Sequence, residues 1–314
     1  MRRGTRQTSW RLTEYMVQTQ NRALQRPLTD LSTRPDEPFR KGTPSEPSPF
    51  ERLRDLLLGA LNPPPGRRRI ALAVTYGAIC HSLFAIAVSG MMVAMFFGMT
   101  LGFGRVPEPW SYIANGLLLL QFPLAHSFLL TRKGGSLLGR LAPQSAARTL
   151  STTTYAIVAS IQLLLLFGLW TPSGTVWWRA DGAALIAICC AYATSWLLLA
   201  KSIYDAGVEL QSGALGWLSL LQKIKPRFPG MPTGGLFRII RQPIYVAFAL
   251  TTWTVPVWTP DQLAVALFLT GYCLLAPIMK ERRLQARHGA HFEAYRRQVP
   301  YAVPRLPPMR KSAK

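Results

Sequence analysis

Acidic residues are scarce in this chain. It has 14 aspartates and glutamates against 36 lysines and arginines, for a net charge of +22 over 314 residues. Cysteine is also rare, at four, and histidine matches it. Cys80, Cys189, Cys190 and Cys273 all lie inside apolar runs. None has the paired spacing of a zinc site or of an extracellular disulfide framework, so a metal role is not expected and they read as small apolar core residues. The first apolar run comes too late for a secretory leader, and no internal repeat is evident. Charge and apolarity are not mixed along the chain as in a soluble domain. Nearly half the residues are hydrophobic, and they gather into long blocks with few charges, as a bilayer demands. The basic balance is therefore read against anionic lipid headgroups, and no nucleic-acid partner is expected, even at the basic stretch Lys223 to Arg227.

Residues 1–66 are rich in Arg, Pro, Ser and Thr and read as a mostly disordered basic region. The exception is 50–61, where Phe50, Leu53, Leu56, Leu57 and Leu61 recur at helical spacing. Two readings stand there: an amphipathic helix on the membrane surface, or a helix packed on the domain. Residues 67–232 carry four apolar runs, Ile70 to Phe103, Tyr112 to Leu130, Thr153 to Trp170 and Ala183 to Ile203. Residues 233–304 form a C-terminal module of two more runs, Val246 to Trp258 and Leu263 to Met279, between polar segments. Residues 305–314 are a basic tail. The fold class is thus all-α, multipass transmembrane, with about five to six membrane segments, a C-terminal hairpin and a cytosolic helix after it. The run Val246 to Trp258 is short enough that a re-entrant hairpin remains open.

Lys plus Arg number 14 in residues 1–69, 4 in 131–151, 6 in 201–242 and 10 in 280–314; the connections 104–111 and 171–182 hold only Arg105 and Arg179. Six crossings with both termini cytoplasmic put every basic segment on one side.

Gly235, Phe237, Arg238, Arg241, Gln242, Pro243 and Tyr245 form one motif. Glu281, Arg282, Leu284, His288, Gly289, Phe292, Tyr295, Val299 and Pro300 form a second. Together they resemble the paired C-terminal motifs of the isoprenylcysteine carboxyl methyltransferase superfamily. Ala125-His126-Ser127, Arg148 to Tyr155, Trp170-x-Pro172 and Trp177 are similar to one branch, that of methanethiol S-methyltransferases and NnrU-like membrane proteins. The resemblance covers about residues 70–304. It implies a methyltransferase of a bacterial cytoplasmic membrane, using S-adenosylmethionine on a small or membrane-partitioned acceptor such as a thiol. Two alternatives are a non-enzymatic NnrU-like accessory protein and an isoprenylcysteine- or phospholipid-type methyltransferase. Two residues depart from the pattern. Gln242 stands where the superfamily has His, and Lys280 where it has the first of two Glu residues.

The resemblance assigns the cofactor to Arg241, Gln242, Pro243, Tyr245, Glu281, Leu284 and Tyr295. Chemistry agrees with the types: a carboxylate needs Arg or backbone N–H donors, an ammonium needs an acid, and Pro243 suits the first turn of a helix. A continuous helix over 280–295 would put Glu281, Leu284, His288, Phe292 and Tyr295 on one face. His126 is the candidate on the acceptor side, as an ionisable group inside a membrane run; His81 is a weaker one. No residue is singled out as catalytic. Asp205 and Glu209 read as a solvated helix end, Asn115 and Gln121 as groups holding helices together, and Trp110, Trp170, Trp177, Trp178, Trp253 and Trp258 as an interfacial belt.

Overall fold

A computed structural model describes residues 47–305. The expectations for residues 1–46 and for most of the basic tail lie outside the described residues. Proline, polar caps and apolar runs set the element boundaries. Ser48 accepts from the Glu51 N–H while Glu51 accepts from the Ser48 N–H, a capping box that starts α1 (Pro49–Leu61). Pro63, Pro64 and Pro65 follow its end. Then come α2 (Arg67–Phe96), α3 (Trp110–Leu129), α4 (Arg132–Arg140), α5 (Ser151–Gly168), β1 (Trp178–Arg179), α6 (Gly182–Asp205), α7 (Val208–Gln211) and α8 (Ala214–Leu221). A 3-10 turn (Gly235–Arg238), α9 (Pro243–Trp253), β2 (Val257–Trp258), α10 (Pro260–His288) and α11 (Ala290–Gln298) complete the order.

Among the described residues, α2, α3, α5, α6 and α10 are long and apolar enough to cross a membrane. They leave large apolar side chains uncovered, among them Leu117, Ile186, Leu197 and Leu275, as expected where lipid is the solvent. The fold is therefore the helical multipass membrane protein that the apolar blocks imply.

The fifth apolar run differs from the others. Its helix, α9, has 11 residues, about 16 Å at 1.5 Å per residue. That is half the roughly 30 Å of hydrocarbon. The chain then continues without helix to β2, which pairs antiparallel with β1, Trp178 facing Trp258. The chain bends at Thr254 and Pro256 on the way, so residues 254–258 fall short of the roughly 17 Å that five extended residues would reach. Exposed backbone at that depth would be costly. Here it is covered: Val255, Pro256 and Val257 are buried, the Ala180 N–H donates to the Pro256 carbonyl at 2.8 Å, and the Trp177 N–H donates to Trp258 at 2.9 Å.

The described chain forms two compact units that interleave rather than follow one another. The first takes residues up to Phe84, Gln121–Ser160 and Ser212–Arg227. Ala142, Ala146, Ala147 and Leu150 form its core with Leu72, Tyr76, Trp217 and Leu220. The Thr153 hydroxyl donates to the Gly213 carbonyl at 2.7 Å, and the Trp217 indole donates to His81 Nε2 at 3.0 Å. His81 is thus a packing histidine.

The second unit takes Ala85–Leu120, Ile161–Gln211 and the chain from Phe228 on. Met91, Met95, Met99, Leu119, Leu166, Phe167, Trp170, Val255, Val265 and Leu269 belong to its core. Trp170 is therefore no member of an interfacial belt: it is buried, and its indole N–H donates to Asp261 at 3.0 Å. Trp258 is half-buried against the same core, whereas Trp110, Trp177, Trp178 and Trp253 are exposed. Asn115 holds a connection as expected, exchanging two hydrogen bonds with the Thr171 backbone. Cys80 and Cys273 are buried, but Cys190 is exposed on α6 and is not a core residue.

Candidate functional site

The second unit gathers the two motifs around one carboxylate. The 3-10 turn is set first. Gly235 has φ +57°, and a Cβ there would collide with the Asp205 carboxylate, so only glycine fits. That carboxylate accepts from the Leu236 N–H at 2.9 Å and pairs with Lys201. Asp205 is thus a buried clamp on this turn, and Glu209 is buried too. The expected solvated helix end is corrected, because the turn after α8 returns to cover it.

Pro243 starts α9 as its missing N–H allows. This leaves Arg241 and Gln242 just before the helix, with their N–H groups donating to Pro300 and Tyr301 at 2.9 and 3.1 Å. The approach to α9 is thereby tied to the segment after α11. Arg241 Nε donates to Glu281 Oε1 at 2.9 Å, and its Nη1 donates to the Arg296 and Val299 carbonyls at 3.1 and 2.7 Å. Gln242 Nε2 donates to the same Glu281 oxygen at 2.7 Å. Gln242 is 2% exposed and its Oε1 has no partner, a cost to the fold unless something else meets it.

The expected continuous helix over 280–295 is broken. α10 ends at His288, Gly289 turns with φ +50° and ψ −121°, and α11 restarts at Ala290. The break folds α11 back. Phe292, Tyr295 and Val299 form a small core with Leu284 and Met231, and the Tyr295 hydroxyl donates to the Phe237 carbonyl at 2.7 Å. Burial raises the pKa of that hydroxyl, with Arg241 opposing and Glu281 adding, so it stays a donor. Lys280 places its ammonium 5.6 Å from the ring centroids of both Phe237 and Tyr245, a cation–π arrangement.

A small cavity lies among these groups, lined by Arg241, Gln242, Lys280, Glu281, Leu284, Tyr295, Met231, Pro232, Phe237 and Phe292. Five of the seven residues expected at the cofactor line it: Arg241, Gln242, Glu281, Leu284 and Tyr295. Pro243 is buried beside them as the helix start, and Tyr245 reaches the cavity's edge through Lys280. His288 is absent from the lining. Met231 and Pro232 precede both motifs and carry no residue-type signal, so only the fold reveals them. His126 belongs to the first unit, where its ring packs on Phe122 and Tyr155 and its carbonyl accepts from the Tyr155 hydroxyl at 3.3 Å.

No family model matches the chain, and no solved structure matches it. Curated relatives do. Methanethiol S-methyltransferase 2 of Bradyrhizobium diazoefficiens is 30% identical over 194 residues, covering 62% of this chain and 73% of its own length. Methanethiol S-methyltransferase of Crocosphaera subtropica is 30% identical, covering 60% and 72%. The protein of that name from Mycobacterium tuberculosis is 28% identical over 248 residues, 74% of this chain and 96% of its own length. The chain belongs to the methanethiol S-methyltransferase family. The relatives' name favours the methyltransferase reading over the accessory-protein and isoprenylcysteine or phospholipid alternatives.

Proposed function

We propose that this protein is an integral-membrane methyltransferase that transfers a methyl group from S-adenosylmethionine to a small thiol. One observation carries the cofactor assignment: Arg241 and Glu281, 2.9 Å apart and largely buried, line a cavity beside an unpartnered Gln242 Oε1. An amino-acid head group carries one carboxylate and one ammonium. A guanidinium and a carboxylate side by side complement both, and the spare amide oxygen accepts a further N–H. The residues present therefore fit the group. The cleft between them is narrow, with room for about one water, so these ten residues must part to take one end of such a ligand.

When bound, the donor supplies a methyl on a positively charged sulfur. Around it the chain contributes binding and water exclusion. Arg241 faces a carboxylate and Glu281 an ammonium. Phe237 and Tyr245, which already hold the Lys280 ammonium, offer ring faces to a cation. Leu284, Phe292 and Met231 keep water from the reacting groups. A small apolar thiol partitions into the bilayer and approaches between helices. Purified protein in lipid nanodiscs, given labelled S-adenosylmethionine and methanethiol, is expected to release labelled dimethyl sulfide. No product, together with no calorimetric binding of S-adenosylmethionine, would overturn the reading.

For topology we propose six crossings, α9 with its non-helical continuation being the fifth, in a bacterial cytoplasmic membrane with both termini cytoplasmic. The basic-residue count supports it. Single cysteines placed in 131–151 are expected to resist an impermeant thiol reagent added outside spheroplasts; external labelling there would reverse the orientation.

A further inference from the structure

The helix α1 serves no part of the proposed site, yet its two sides differ sharply. One side rests on the first unit. Gln222 Nε2 donates to the Leu56 carbonyl at 2.8 Å, and a Cβ on Gly59 would strike the Gln222 amide. None of the helix's residues is buried. On the opposite side Phe50, Leu57, Leu58 and Leu61 are 61%, 51%, 57% and 80% exposed. At 100° per residue, Phe50, Leu57 and Leu61 fall within about 40° of one another and Leu58 flanks them, while Gly59 lies across the helix. These four side chains form one apolar strip on a helix that is held in place from behind.

Where the helix sits says what covers the strip. Only residues 62–66 separate Leu61 from Arg67, the first residue of the spanning helix α2. Six Cα steps reach at most about 21 Å, and three of the linking residues are prolines. The end of α1 is therefore tethered within that distance of the point where the chain enters hydrocarbon. Charge points the same way: residues 49–69 hold five arginines against Glu51 and Asp55. Three of the five, Arg67, Arg68 and Arg69, stand at the mouth of α2, where headgroup phosphates lie.

We infer that α1 is an interfacial helix that lays Phe50, Leu57, Leu58 and Leu61 into the headgroup–acyl boundary of an anionic bilayer, with Gln222 fixing it from the protein side. The lipid surface is its partner. Arg54 falls within the same arc, between Leu61 and Leu58, and its guanidinium pairs with the Asp55 carboxylate at 2.9 Å, so a long side chain of this kind must lift its charge to the headgroups.

The test uses the full chain, with Cys189 and Cys190 replaced by Ala, in nanodiscs of mixed phosphatidylglycerol and phosphatidylcholine. Nitroxides are placed at 55, 57 and 61. At 57 and 61, oxygen is expected to relax the label at least threefold more effectively than a water-soluble nickel chelate, and at 55 the chelate should dominate. Chelate dominance at all three positions would overturn the proposal. So would exclusion of both reagents at 57 and 61, the result if a protein, including a second copy, covers the strip. A label-free measurement stands beside it. Leu57→Glu/Leu61→Glu in the intact chain should speed tryptic cleavage after Arg52 and Arg54 about tenfold in anionic nanodiscs, with unchanged melting in detergent; equal cleavage rates would overturn the inference as well.

Discussion

Two carboxylates on α10 make the most instructive comparison in this protein. Asp261 lies in its first turn and Glu281 twenty residues on, a separation of about 30 Å, one hydrocarbon thickness. Asp261 accepts from the Trp170 indole, the Ser173 N–H and the Ser173 hydroxyl at 3.0, 2.9 and 2.5 Å. Its donors are neutral, and it sits where the helix dipole favours an anion; the Oε1 of its neighbour Gln262 lacks a partner, so what sets Asp261 apart from Glu281 is the absence of a cation among these donors. Glu281 lies two turns before the helix's C-terminal end. Its compensation comes from Arg241 and Gln242, its neighbour Gln242 keeps a vacant acceptor, and a cavity adjoins it. Two buried acids on one helix thus differ in purpose. The first is a staple for the 171–173 connection. The second is half of a charge pair beside a small cavity, the pair that the proposed function turns toward a ligand.

The sharpest way to break the comparison is Arg241→Ala. It leaves Glu281 largely buried without its counterion and frees two carbonyls. Breaking such a pair costs about 3–5 kcal/mol, so thermal stability in detergent should drop and binding of S-adenosylmethionine should vanish in calorimetry. Retained binding would detach the pair from the site. Glu281→Gln is gentler, keeping size and one acceptor. Loss of a charge-assisted bond worth about 1.5–3 kcal/mol should lower cofactor affinity about tenfold to a hundredfold, with a smaller drop in melting than Arg241→Ala because Arg241 keeps its two carbonyl acceptors. Lowered stability at unchanged affinity would make Glu281 a staple like Asp261. Asp261→Asn should do the reverse, costing about 1–3 kcal/mol of stability and leaving affinity alone; a fall in affinity would erase the contrast. The smallest effect is expected from Gln242→His. An imidazole N–H can replace the amide donor to Glu281, so affinity should hold within about threefold or rise, and a tenfold loss would show that the vacant amide oxygen is needed.

Much of this was legible beforehand. The apolar blocks, the proline at the start of α9 and the motif residues from Arg241 to Tyr295 placed the hairpin and most of the cavity lining. Other features were not. A continuous 280–295 helix has the same spacing of Leu284, Phe292 and Tyr295 as the broken one, so the turn at Gly289 leaves no periodic trace. Asp205 looked like a solvated acid because its partner, the Leu236 N–H, lies 31 residues on. Trp170 looked interfacial because its partner, Asp261, lies 91 residues on.

Sequence alone determined the solvent and the number of apolar runs, because hydrocarbon tolerates only long uncharged helices, and its resemblance to a known family singled out the motif residues. Tertiary structure decided which polar groups meet. A hydrogen bond depends on distances of about 3 Å between atoms far apart in the chain, and composition and spacing carry no record of those distances. It also decided that the fifth run ends as an extended strand, because the backbone there is satisfied by β1 and the connection around it rather than by its own helix.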